Sequence, residues 1–234
     1  MKIRNLVMIL TLGAATMSCA NSAKQETKTN YADLTKQYAK VQLTSDISHL
    51  SDNEKQMLDY LYEIGNIMDD IFWTQQFGGD KEAFLNSIED KDARLFAEIN
   101  YGPWNHFDNL TPFLPEYDSM PQGAGFYPTD MTKEEFEAWE NPDKTSQYTL
   151  IKRDENGQLQ AVWFHEAYAE QINKVAELLN KAADLAGDEE FANYLRLRAK
   201  AVLTDDYFES DMAWMDVRNN NVDFVVGPIE NYVD

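Results

Sequence analysis

The sequence predicts an α+β body, mostly helical, with one β-hairpin and a C-terminal strand. Three observations lead to that expectation: apolar residues at helical spacing over 51–72, two short strand-like runs flanking Asn156 and Gly157, and the β-branched stretch "VDFVVG" close to the last residue. With 44% hydrophobic and 12% aromatic residues among 234, the chain can bury a substantial core. Its 20 basic and 41 acidic residues give a formal charge of -21. Such a surface repels phosphate backbones and anionic membranes over a Debye length of roughly 8 Å. The charge argues against nucleic acid as a partner and admits a cationic or ammonium-bearing ligand.

Taken in order, residues 1–19 read as a lipoprotein-type signal peptide. Lys2 and Arg4 precede an apolar stretch too short to span a bilayer, and Ser18 and Cys19 resemble the end of a lipobox. Cys19 is then the lipidation site, and a lipid anchor is the chain's one expected tie to a membrane; ordinary cleavage after Ala20 is the alternative. Either route exports the chain, to the periplasm or to the outer membrane as a lipoprotein. Cys19 is also the sole cysteine, so no intrachain disulfide is expected. Residues 20–30 are polar and read as a flexible tether.

The folded body is expected over 31–234. Ser51 and Glu54 stand at capping-box spacing ahead of Met57, Leu58, Leu61, Ile64, Met68, Ile71 and Phe72, the signature of an amphipathic helix. A shorter helix is expected over about 80–100. Pro103, Pro112, Pro115, Pro121 and Pro128 then rule out a long helix or central strand and predict an ordered, aromatic-pinned connection. Thr132 and Glu135 cap a short helix through about Trp139. A hairpin turning at Asn156–Gly157 follows, then one helix from about His165 to Ala186 stopped by Gly187. Asp188 starts the next helix, and the final third reads as two helices and a strand.

For chemistry, "FHEAYAEQ" begins as a zinc-peptidase helix begins, with His165 directly before Glu166. The common form needs a second histidine four residues on, so that both imidazoles share a helical face; Ala169 stands there, and Glu170 stands at the fifth position. With His49, His106 and His165 the only histidines, no pair at helical spacing exists, and no metal site is expected in this chain. His165 and Glu166 read instead as the polar start of a helix. Asp69 with Asp70, and Asp205 with Asp206, suit acid–base or cation roles as well as a solvated face. His106 lies in a loop, where function and aromatic packing account for it equally.

The ending "DVRNNNVDFVVGPIENYVD" resembles the dipeptidyl peptidase III family of zinc metallopeptidases, in which a strand leads into a glycine-x-isoleucine-glutamate-x-tyrosine-x-aspartate motif. Gly227, Ile229, Glu230, Tyr232 and Asp234 match it, whereas Pro228, Asn231 and Val233 fall at variable or differing positions. Upstream, "YGPWNHFDN" and "GAGFYPTDMTKEEFEAW" are similar to the N-terminal region of the family's exported bacterial members, so the resemblance runs from about Tyr31 onward. It implies that Glu230 binds the free amino group of a peptide substrate and that Tyr232 acts catalytically by hydrogen-bonding near the scissile carbonyl. A carboxylate pairing an ammonium and a phenol donating to a developing oxyanion are chemically apt for those roles. The family's zinc helices lie downstream of this motif. The resemblance therefore implies the incomplete N-terminal region of a larger two-domain metallopeptidase, truncated before its zinc-binding region, with no cofactor in this chain, zinc in a full-length relative, and no activity alone. The alternative is a stand-alone, non-catalytic periplasmic helical lipoprotein that binds a ligand or partner.

Overall fold

The computed structural model describes residues 29–228. Cys19, Glu230 and Tyr232 lie outside the described residues, as do the expected signal and most of the tether. A short helix α1 (Tyr31–Thr35) opens the described chain, and α2 (Asp52–Phe77) follows. The capping box forms as its spacing predicts, with the Ser51 side chain accepting from the Glu54 amide and Glu54 reaching back to the Ser51 amide. Such a cap is worth about 1 kcal/mol. The helix runs past Phe72 and ends on Gly78, which takes the left-handed conformation at φ 75°.

The single helix expected over 80–100 is two, α3 (Lys81–Ser87) and α4 (Lys91–Asn100). Asp80 and Asp90 each accept from amides of the turn that follows, so Asp90 restarts a helix without a glycine or proline to mark the break. The proline-rich connection is ordered, and it contains a minimal antiparallel pair, β1 (Trp104–Asn105) and β2 (Thr111–Pro112). After α5 (Lys133–Ala138), capped by Thr132, comes the expected hairpin of β3 (Thr149–Arg153) and β4 (Leu159–Trp163). Its turn is wider than a two-residue Asn156–Gly157 loop. The Asp154 carboxylate accepts from the Asn156 and Gln158 amides, and Gly157 supplies the left-handed residue at φ 79°.

The helix expected from His165 to Ala186 divides at Tyr168 into α6 (Phe164–Ala167) and α7 (Ala169–Leu185). Gly187 is not a left-handed stop, since the cap is Ala186 in extended conformation. Its lack of a side chain serves packing instead: a Cβ there would lie 3.2 Å from Glu54 Oε1. Asp188 caps α8 (Glu189–Val202) as expected, and α9 (Phe208–Asp216) completes the helices among the described residues.

Helix α2 packs on α7, α7 on α8 and α8 on α9. The short links between the last three make them antiparallel neighbours, and Gly187 against Glu54 places the end of α7 beside the start of α2. Their shared core includes Met57, Ile64, Ile71, Ile172, Leu179, Phe191, Tyr194 and Leu195. A second, aromatic core of Trp73, Phe84, Phe96 and Phe113 gathers α3, α4 and the connection on the far part of α2. One helix thus contributes to both cores.

The stretch expected as a C-terminal strand pairs with no strand among the described residues. Its side chains alternate as in a strand: Val222, Phe224 and Val226 pack on the bundle core while Asp223 and Val225 face out. Asn221 Nδ2 donates to Glu54 Oε1 at 2.8 Å and Gln75 Nε2 donates to the Pro228 carbonyl at 2.9 Å. Those two α2 residues lie about 32 Å apart at about 1.5 Å of rise per residue. From Asn221 to Pro228 the backbone reaches about 25 Å at most, at about 3.3 to 3.6 Å per residue. The stretch must run nearly straight along α2, with side chains covering the remainder. Trp214 Nε1, donating to Asp223 Oδ1 at 2.9 Å, ties its other side to α9. The segment expected as a C-terminal strand closes the bundle as extended chain, without a partner strand among the described residues.

Candidate functional site

Two adjacent glutamines near the end of α2 are buried, Gln75 at 2% and Gln76 at 0% exposure. Gln75 stands one helical turn after Ile71 on the stripe that faces the bundle, while Gln76 faces the connection between α4 and α5. A buried amide is costly unless it is hydrogen-bonded. Gln75 meets that requirement through the Pro228 carbonyl. Gln76 Nε2 lies 3.1 Å from His106 Nε2, and its Oε1 has no partner among the described residues. Burial lowers the His106 pKa, opposed by the Asn100 backbone. The neutral ring that this favours can accept from the Gln76 amide.

The connection approaches α2 closely here. The Gly125 amide donates to the Gln75 carbonyl at 2.8 Å, and a Cβ on Gly125 would stand 2.4 Å from the Thr74 carbonyl oxygen. Only glycine permits that contact. Tyr168, 4% exposed, completes the corner. Burial raises its pKa, and nearby Gln75 opposes the rise. The corner is formed by the end of α2, the connection, the α6–α7 junction and Pro228, and the chain passes through it two residues before Glu230.

His165 does not project as a free metal ligand. Its Nδ1 lies 2.7 Å from Asp205 Oδ2, and the same oxygen accepts from the His165 amide at 3.1 Å. The Asp205 side chain is fully buried, its residue sits at φ 54°, and its Oδ1 is unpartnered among the described residues. Burial raises the Asp205 pKa, against the opposing pull of His165. The polar helix start is therefore half of a cross-chain clasp, one that spacing could not reveal because its partners lie 40 residues apart. Asp206 turns away to accept from the Phe208 amide. Asp69 and Asp70 bracket Lys81 at 3.5 and 2.6 Å, and Asp69 also accepts from the Tyr101 hydroxyl, whose pKa burial and that carboxylate push up to about 12. Glu166 and Glu170 are exposed. Among the described residues, no three His, Cys, Asp or Glu side chains come together as a metal site.

No protein-family model matches the chain. Two solved structures do. Dipeptidyl peptidase III from Caldithrix abyssi superposes with a TM-score of 0.73 at 35% identity, over 79% of this chain and 37% of that one. The dipeptidyl peptidase III of Corallococcus sp. strain EGB gives 0.74 at 29% identity, over 81% of this chain and 37% of that one. Most of this chain has a dipeptidyl peptidase III-like fold. The likeness extends to the α+β architecture. A curated protein of Arabidopsis thaliana, Nudix hydrolase 3, is 28% identical over 84% of this chain and 33% of its own length. That name describes the Arabidopsis protein as a whole. The dipeptidyl peptidase III-like chain spans about a third of the curated relative and little more of each solved one.

Proposed function

We propose that this chain is the N-terminal, substrate-binding portion of a zinc-dependent dipeptidyl peptidase III-like hydrolase, acting on peptides with a free N-terminus in the full-length form. The observation that carries the reading is the fold likeness to two dipeptidyl peptidase III structures, with the chain leading through a buried polar corner toward Glu230. Glu230 pairs the substrate ammonium, and Tyr232 donates its phenol hydrogen near the scissile carbonyl. His106 and His165 do not fit a zinc site together, because they are engaged by Gln76 and Asp205 on separate elements. In a full-length relative, zinc would be held by residues other than these two histidines.

Glu230→Gln tests the reading by titration calorimetry with a tripeptide and its N-acetylated form. The substitution should weaken free-amine binding by about 1.5 to 3 kcal/mol, the range for a hydrogen bond to a charged group. The acetylated peptide should be unaffected. Equal affinities of wild type and variant for the free amine would remove Glu230 from the site.

We also propose export and lipidation at Cys19, supported by the charge and apolar pattern of residues 1–19. Fatty-acid labelling in a bacterial host should tag the wild type and not Cys19→Ala. Equal labelling would contradict it.

A further inference from the structure

We propose that Gln75 is a positioning residue that fixes the backbone at Pro228, two residues before Glu230, and so tunes how Glu230 meets a peptide. This rests on the peptide-binding reading of Glu230. Gln75 occupies a place on the core stripe of α2 that an apolar side chain would fill at lower desolvation cost. Its amide instead reaches 2.9 Å to the carbonyl of Pro228, a residue 153 positions away and itself buried. Proline has no amide hydrogen to offer and a φ fixed near −65°, so holding its carbonyl fixes the direction of the next peptide unit. The holder is in turn immobilised. The Gln75 backbone carbonyl accepts from Gly125, whose approach leaves no room for a Cβ, and Tyr168 lies against the Gln75 side chain. Upstream, Val222, Phe224 and Val226 pack on the core, and Asn221 and Asp223 hydrogen-bond with Glu54 and Trp214. The Gln75 bond is the polar tie at its downstream end.

Gln75→Met keeps the length of the side chain and removes the donor. In the full chain, 15N relaxation should show Val226 and Gly227 falling from rigid order parameters of about 0.85 toward 0.6 or below, with Val222 unchanged. Unchanged order at Val226 and Gly227 overturns the proposal. In calorimetry, the preference for a free-amine tripeptide over its N-acetylated form should fall about threefold to tenfold, the worth of one neutral hydrogen bond. Affinity for the acetylated form should stay as it was. A packing role alone would weaken both peptides alike, and an unchanged preference with disordered residues 226 and 227 would also overturn positioning. Pro228→Gly leaves the Gln75 donor in place and frees φ; the same loss of preference is expected from it, which covers the case in which Gln75→Met does not fold. If the wild type shows no preference between the two peptides, the reading of Glu230 falls, and the relaxation data alone decide whether Gln75 holds the segment.

Discussion

Glu54 joins three distant parts of the chain through one carboxylate. Its Oε2 accepts from the Ser51 amide and hydroxyl, its Oε1 accepts from Asn221, and Gly187 packs against it. The Ser51 hydroxyl, then Asn221 and the Ser51 amide, lower the Glu54 pKa against the opposing effect of burial. A carboxyl with a depressed folded pKa stabilises the fold above its unfolded value, roughly 4.3 for glutamate, and that contribution disappears as pH falls through the folded value. Urea unfolding of wild type and Glu54→Gln at stepped pH should therefore show the wild-type advantage at neutrality shrinking through the acid range. A constant difference from pH 7 to pH 2 would rule out this linkage. Ser51 and Glu54 were legible in the sequence because both lie within one helical turn. Asn221 was not, since nothing local marks a partner 167 residues away.

At the level of elements, the meeting of α2 with the proline-rich connection depends on Gly125. Replacing it with alanine would place a Cβ 2.4 Å from one α2 carbonyl oxygen and 2.9 Å from the next, both backbone atoms with little room to yield. Gly125→Ala should cost more than about 3 kcal/mol, in the severe tail for single substitutions. Gly157→Ala meets nothing within 4 Å and bears only the strain of φ 79°, about 1 to 2 kcal/mol. Thermal melts of the two variants check the contrast, and equal midpoints would sink the backbone-contact argument. Local patterns located α2, the hairpin, α5 and α8, because caps and periodicity are short-range signals. They missed the α3–α4 and α6–α7 breaks, where Asp90 and Tyr168 interrupt helices without a proline or glycine. In "VDFVVG" the β-branched run marked an extended segment, but not that it packs on helices without a partner strand among the described residues, since local composition does not report what covers a segment. Gln75 carried a faint signal, a polar residue on an apolar stripe, but its significance depended on Pro228.

For the whole molecule, the fold likeness and the metal chemistry separate. The described body matches 37% of each dipeptidyl peptidase III structure, and His106 and His165 are engaged apart from one another. Elemental analysis of the purified chain should find no stoichiometric zinc; one tightly held ion per chain would overturn the reading of His165 as a structural clasp. The same body is closed on its fourth side by the nearly straight run from Asn221 to Pro228, held to α2 near both ends. Such a run has no slack, so it tolerates changes of residue far better than changes of length. Deleting one residue would draw its ends together by about 3.3 Å and reverse which side chains face inward. Asp223 or Val225 would then turn toward the core in place of Phe224, and the Pro228 carbonyl would pull away from Gln75. Among descendants of this gene, substitutions at Val225 should accumulate freely while insertions and deletions between Asn221 and Pro228 are purged.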